Sequence, residues 1–404
     1  MSPLKISWKS MRSKPLSSFL NIMLVAFGTG ILTILLLSSS QISEKLNKNS
    51  KDIDLVVGAK GSPLQLILSS IYYIDFPTGN IPLKDAKELS ANPWVKRAVP
   101  LALGDNYNGI RIVGTDSNFV RLYDLRLQSG KFWAQDFETT IGATVAATQH
   151  LKIGDRFYGA HGLTGSSDVH KTHAYKVSGI LQAQGNVTDN LILTNISSVW
   201  KMHDPAEEKE HEHTDKKEEH PEIQDKEITS LLIQYRSPMS VVMFPRMVNQ
   251  STNMQAASPA MESTRLFSLI GVGTETLQWF AVLIMLIAAI SVFVNLYNSL
   301  KEKKYDLAIM RTLGASRFKL FLIVIIEGLL LTLVGTVIGI AFGHACLGLI
   351  GHFQESSQAR LSGTIFLKDE IYLLIAGLGI GIFAAVIPAV QAYRSDISKI
   401  LSKN

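Results

Sequence analysis

Apolar residues along this chain collect into four long runs. The first spans residues 18–40 (SFLNIMLVAFGTGILTILLLSSS) and carries no charge. The second is 274–300, the third 319–345 and the fourth 371–393. Each is long enough to cross the hydrocarbon of a bilayer, which takes about 20 helical residues. Between the first and second runs the pattern changes: residues 41–270 mix charged residues, turn signals and short alternating segments. DIDLVVGAK predicts a strand at 53–57 followed by a turn. PLKDAKELSANPWVKRAVPLALGD predicts a helix over 83–91 and a strand over 94–103, together a βαβ-type half-unit. Residues 108–200 read as a compact β-rich module. Residues 203–227 (HDPAEEKEHEHTDKKEEHPEIQDKE) have Ile223 as their one large apolar residue, and the charge crowding predicts a disordered insertion. A strand (ITSLLIQYR) and an amphipathic helical stretch (MSVVMFPRMVNQ) then return the pattern to order over 228–270. The fold class that follows is an α-helical membrane protein with four transmembrane helices. A large α+β extracytoplasmic domain is inserted between helices 1 and 2.

Composition agrees with a mixed protein. Of 404 residues 47% are hydrophobic, too many for a typical soluble chain and too few for one buried wholly in lipid. The net charge of +5 is modest, and the basic residues sit beside apolar runs, which argues against nucleic acid as a partner. They cluster at 1–17 (Lys5, Lys9, Arg12, Lys14), between runs two and three (Lys301, Lys303, Lys304, Arg311, Arg317) and after run four (Arg394, Lys399, Lys403). The positive-inside rule places all three clusters in the cytoplasm, with 41–270 and the loop 351–369 outside. The first run exceeds the about 7–15 apolar residues of a signal-peptide core, and no clean cleavage site follows, so it is expected to stay as an anchor. Residues 1–17 form an amphipathic cytoplasmic segment with Ile6, Trp8 and Met11 on its apolar side, and 394–404 form a cytoplasmic tail. The single cysteine, Cys346, excludes a disulfide framework.

The segment 301–318 (KEKKYDLAIMRTLGASRF) joins runs two and three. Leu307, Ile309, Met310 and Leu313 recur at helical spacings among basic residues, so a surface helix with one apolar side is expected, ended at the Gly314 turn. Together with the third run, DLAIMRTLGASRFKLFLIVIIEGLLLTLVGTVIGIAFG resembles the signature of the FtsX-like permease superfamily, which includes macrolide-exporter and lipoprotein-release permeases. IPAVQAYRSDISKIL resembles that family's closing motif. The order of GKFW, ATQHLKIGD and KVSGIL resembles its periplasmic core domain, and this resemblance implies a membrane-proximal lobe (41–107 and 228–270) split in sequence by the β-rich lobe (108–200) and the His-rich insertion (203–227). The resemblance implies a membrane subunit of an ABC transporter, working as a homodimer in the bacterial inner membrane with both termini cytoplasmic. It implies that Tyr305, Leu307, Met310, Arg311, Leu313, Gly314 and Arg317 belong to a coupling helix that docks on a separate cytoplasmic ABC ATPase. It implies mechanotransmission: ATP binding in the partner drives motion of the outer domain, through long helices reaching to about Leu46 and starting near Met261. A periplasmic protein partner also fits this plan.

No P-loop, nucleophile elbow, HExxH helix or cysteine-based zinc site is written here, so ATP and magnesium belong to the partner and no catalytic residue is expected. Glu327 is a carboxylate inside the third run. Such a group is costly in lipid and marks a packing or coupling position at the bundle interior, with a proton or ion relay as the alternative. Gly328, Gly335, Gly339 and Gly343 make a flat face for another span or a second copy. His203, His211, His213 and His220 sit among carboxylates, a donor set suited to zinc. The alternatives to transport are regulation of a periplasmic enzyme and a zinc- or metal-linked transport system.

Overall fold

The computed structural model describes residues 2–161, 173–203, 226–353 and 361–394. The insertion's His211, His213 and His220 lie outside the described residues.

Along the chain, helix α1 (Pro3–Ser13) is followed by α2 (Pro15–Asn49). Lys14 separates them with φ −128° and ψ 68°. A residue preceding proline is driven out of the helical region, so Pro15 sets this break. Strand β1 (Leu55–Ala59), helix α3 (Pro63–Ser70), the short β2 (Ile81–Pro82), α4 (Leu83–Ser90) and the long β3 (Val95–Tyr107) come next. Then come β4 (Ile110–Thr115), α5 (Ser117–Leu122), β5 (Leu127–Gly130), β6 (Glu138–Ile141), α6 (Ala143–Gln149), β7 (Arg156–Phe157) and β8 (Ala160–His161). After these are β9 (Tyr175–Leu181), β10 (Ile192–Asn195), α7 (Ile196–Met202), β11 (Glu227–Ile228), β12 (Ser230–Tyr235), α8 (Ser240–Ser251) and β13 (Met254–Ala257). Four helices complete the chain: α9 (Pro259–Glu302), α10 (Lys304–Thr312), α11 (Arg317–Phe353) and α12 (Glu370–Arg394).

The chain divides into two compact units, Ser43–Ser268 and Met1–Ile42 with Leu269–Asn404. In the first unit an eleven-stranded sheet follows the order β13-β1-β12-β3-β4-β10-β6-β9-β5, with β7 on β9 and β8 on β3. The expected βαβ half-unit is present but split. β12 lies between β1 and β3, antiparallel to each, with Leu232 opposite both Val56 and Val99. The strand that fills this slot comes from the far side of the β-rich module, so local pattern could not place it. Pleating then sends alternate residues of each strand to opposite cores. Val56 and Leu232 join Leu66, Leu101 and Phe119 on one face. Leu55, Val57, Leu231 and Ile233 join Phe244 and Val248 on the other. Both faces are covered, which is why these strands read as continuous apolar runs rather than alternating ones.

In the second unit, α2, α9, α11 and α12 are the described helices long and apolar enough to cross a membrane. Three of them are much longer than a bilayer requires: α2 has 35 residues, α11 has 37 and α9 has 44. At 1.5 Å per residue a 44-residue helix is about 66 Å long, roughly twice the hydrocarbon thickness. Helix α11 runs to Phe353, beyond the 345 boundary expected from sequence, because apolar residues continue through Leu349 and Ile350.

Candidate functional site

Helix α10 begins after Lys303 and ends at Gly314, whose φ of +92° is open to glycine and strained for other residues. Residues 301–302 belong to α9 and 317–318 open α11, so α10 itself is shorter than the 301–318 segment expected. Asp306 in its first turn and Arg311 in its last complement the helix dipole, and Arg311 Nη1 donates to the Ala315 carbonyl at 3.3 Å.

The fold divides the sequence-derived set into two faces. Leu307 is buried with Leu300, Leu320, Ile323, Val324, Ala389 and Ala392, and Met310 packs against this cluster. These two residues seat the helix on α11 and α12. Tyr305, Ile309 and Leu313 instead point outward at successive four-residue steps, with Leu313 82% exposed. Arg317 and Phe318 are exposed beside them. Ile309, one of the apolar positions read from the sequence, was not placed in the coupling set, and Phe318 was not singled out; the signal that could have found them is their four- and five-residue spacing from Tyr305 and Leu313.

Glu327 lies on the buried side of α11 and is nearly sealed from solvent. Its carboxylate accepts a hydrogen bond from Ser10 Oγ of α1, and Lys303 Nζ stands 3.8 Å from Oε1. Lys303 also donates to Ser10 Oγ. Three segments distant in sequence therefore meet at one carboxylate: α1, the junction before α10, and α11. Lys14 forms a second ion pair with Glu302 at the same junction. Ser7 Oγ, fully buried, donates to the Ile323 carbonyl at 2.9 Å. The face of α1 that packs is thus Ile6, Ser7, Ser10 and Met11, whereas Trp8 turns outward and is 48% exposed. A serine in a basic helix reads as solvated, so this contact left no mark in the pattern.

The small residues of α11 meet neighbours within the chain. A Cβ on Gly328 would stand 2.8 Å from Ala385 Cβ of α12. One on Gly335 would lie 2.7 Å from Val25 Cβ, and one on Gly343 would lie 2.8 Å from Thr33 Cβ, both on α2.

In the other unit, His203 closes α7 with Nε2 3.3 Å from Oδ1 of the buried Asp105. Tyr175 is pushed upward in pKa by its burial and then by the charge of Asp105. Among the described residues no three of His, Cys, Asp and Glu converge as a metal site would require.

Residues 279–397 match the FtsX-like permease C-terminal family, and residues 18–244 match the MacB-like periplasmic core domain, a match over more than half of the chain. The chain belongs to the FtsX-like, MacB-type permease family. Members of this ABC-transporter permease family are membrane subunits and are not themselves enzymes. Over 353 residues this permease is 20% identical to the lipoprotein-releasing system transmembrane protein LolC of Buchnera aphidicola, covering 82% of the chain and 81% of the relative. It is 30% identical over 138 residues to LolE of Haemophilus influenzae, covering 30% of the chain and 33% of that relative. Among solved structures, the periplasmic region of MacB from Actinobacillus actinomycetemcomitans aligns with 55% of the permease and 97% of its own chain, at 10% identity and a TM-score of 0.34. The extracellular domain of the ABC-type transporter YknZ from Gram-positive bacteria aligns with 51% and 99%, at 12% identity and a TM-score of 0.30.

Proposed function

We propose that this permease passes ATP-driven motion from a separate cytoplasmic ATPase to its domain outside the membrane. The observation that carries this reading is α10. Its inner side is locked to two apolar helices, and its outer side offers Tyr305, Ile309 and Leu313 to solvent. A helix so held is a lever arm that moves only with the bundle. An ATPase gripping the outer stripe would drive α9 through Lys303 and α11 through Leu307. Helices α2 and α9, each continuous and longer than a bilayer, supply the transmission. The protein then sits in the bacterial inner membrane as four spans, with both termini cytoplasmic and the sheet-containing domain inserted outside between spans one and two. The basic clusters at 1–17, 301–319 and after 393 support that orientation. Two copies would engage two ATPase subunits.

The test is copurification of the ATPase with Ile309→Asp and Leu313→Asp variants. Both positions are exposed, so the variants should fold and reach the membrane while the ATPase is lost from the complex. Full retention of the ATPase by both variants would refute the docking role.

A further inference from the structure

At 1.5 Å per residue, His344 stands about 36 Å along α11 from Leu320, where α10 is seated. The imidazole is buried there against Glu370, the first residue of α12, also buried. Both ring nitrogens face acceptors. Nδ1 stands 2.7 Å from the Gly363 carbonyl oxygen, and Nε2 stands 3.1 Å from Glu370 Oε2. A carbonyl oxygen only accepts, so Nδ1 carries a hydrogen. Nε2 then faces a carboxylate oxygen, and that contact is a hydrogen bond only when a further proton sits on Nε2 or on Oε2. The other oxygen, Oε1, accepts from the Leu367 amide at 2.8 Å. Without the further proton an imidazole lone pair would oppose a carboxylate in a site closed to water, which is costly.

The loop leading into α12 is fastened at the same place. Buried Gln41 of α2 donates from Nε2 to the Ser362 carbonyl at 2.7 Å, and its Oε1 accepts from the Ser362 amide at 2.7 Å. Gly363 lies so close to α11 that a Cβ on it would stand 2.6 Å from the Gly348 amide nitrogen. The Phe366 ring covers the imidazole, with centroids 4.5 Å apart. Among the described residues Glu370 is the charged group that meets His344. Lys368 and Asp369 beside it are exposed, as is His352 farther along α11; Cys346 is half-buried, and α2 contributes the uncharged Gln41.

We propose that His344 and Glu370 hold one proton between them, and that this proton is a pH-sensitive latch fastening the loop 361–369 and, through Gln41, helix α2 to α11. The latch is closed in acid. It opens as pH rises, because the proton passes to solvent and leaves the lone pair and the carboxylate in opposition. Gly343 already meets α2 at Thr33, and Gln41 lies about two turns beyond, so the latch decides whether that farther stretch of α2 moves with α11. In the orientation proposed above this is the outer end of the bundle, and the latch reads the pH outside. The latch itself does not depend on that orientation.

The test uses the full chain with Cys346→Ala, Ser39→Cys and Ile365→Cys, nitroxide-labelled at the last two positions, both exposed. Pulsed electron paramagnetic resonance in lipid vesicles, with one pH on both sides, reads the distance from α2 to the loop whatever the orientation; singly labelled chains subtract distances between copies. A single narrow distance is expected at pH ~6 and its loss to a broad distribution at pH ~9, either side of the range in which histidine ordinarily changes charge. Glu370→Gln should stay narrow at both, because its amide donates to a neutral imidazole and accepts from Leu367 with no extra proton. His344→Leu leaves the buried carboxylate without its partner and should be broad at both. A parent distribution that does not change between the two pH values, or Glu370→Gln broadening as the parent does, would overturn the proposal. Those two results decide it even if His344→Leu fails to fold.

Discussion

Replacing Gly339 by alanine adds one methyl group where α11 lies against α2. The new Cβ would stand 2.5 Å from the Ala26 carbonyl oxygen and 3.0 Å from Ala26 Cα, with Thr29 Oγ1 nearer still. Ordinary contact begins at 3.4 Å, so the two helices must part by almost an ångström. Two of the opposing atoms are backbone and cannot rotate away. Overpacking of this kind costs about 1–3 kcal/mol. A gap of that width along the rest of the interface also forfeits roughly a quarter to a half of each contact's dispersion energy. Against this stands alanine's better helix propensity, worth at most about 1 kcal/mol. The net expectation is a loss of about 1–2 kcal/mol. Gly379 on α12 is the matched control, because nothing lies within 4 Å of its added Cβ. Gly379→Ala should be neutral or slightly stabilising. The assay is unfolding of the purified permease in micelles, followed by tryptophan fluorescence against denaturing detergent or temperature. Thr29→Ala combined with Gly339→Ala should recover part of the loss but not all, since the Ala26 carbonyl remains. If Gly339→Ala unfolds together with Gly379→Ala, the close approach of α2 and α11 is refuted.

Glu327→Leu removes the carboxylate that accepts from Ser10 and pairs with Lys303, and should weaken the seating of α1 by about 1–3 kcal/mol. Amide exchange over Pro3–Ser13 would then rise, with Glu327→Gln closer to the parent protein; unchanged exchange in Glu327→Leu would contradict the three-way junction. In the outer domain, hydrogen bonds from Lys201 and then Ser197 hold the Asp136 carboxyl below its ordinary value of 3.8. Its folded pKa is depressed, so its contribution is complete above the unfolded value and is lost as pH falls through the folded one. Asp136→Asn should therefore flatten the acid-side loss of thermal stability below pH 3.8 and lower the midpoint at neutral pH, and a melting series over pH reads both.

Several elements were readable because their cause is local. An unbroken apolar run declares a lipid-compatible helix whatever lies elsewhere, and α2, α9, α11 and α12 coincide with the four runs. Gly314 and the basic spacing around it likewise announce the end of α10. Other features escaped because they depend on partners in other elements of the fold. Leu307 and Leu313 look alike in sequence, but packing on Leu320 and Ala389 buries the first, and among the described residues the second stays exposed.

By itself the sequence determined the apolar runs, the clustering of the basic residues beside them and the family signature, since transfer to lipid and helix termination are properties of short segments. Only the tertiary structure decided that β12 slots between β1 and β3, and that Glu327 joins α1 to the α10 junction. Only it decided which neighbour each glycine of α11 admits. Such pairings depend on shape and hydrogen-bond complementarity between residues far apart in the chain, and periodicity along one segment carries no record of them.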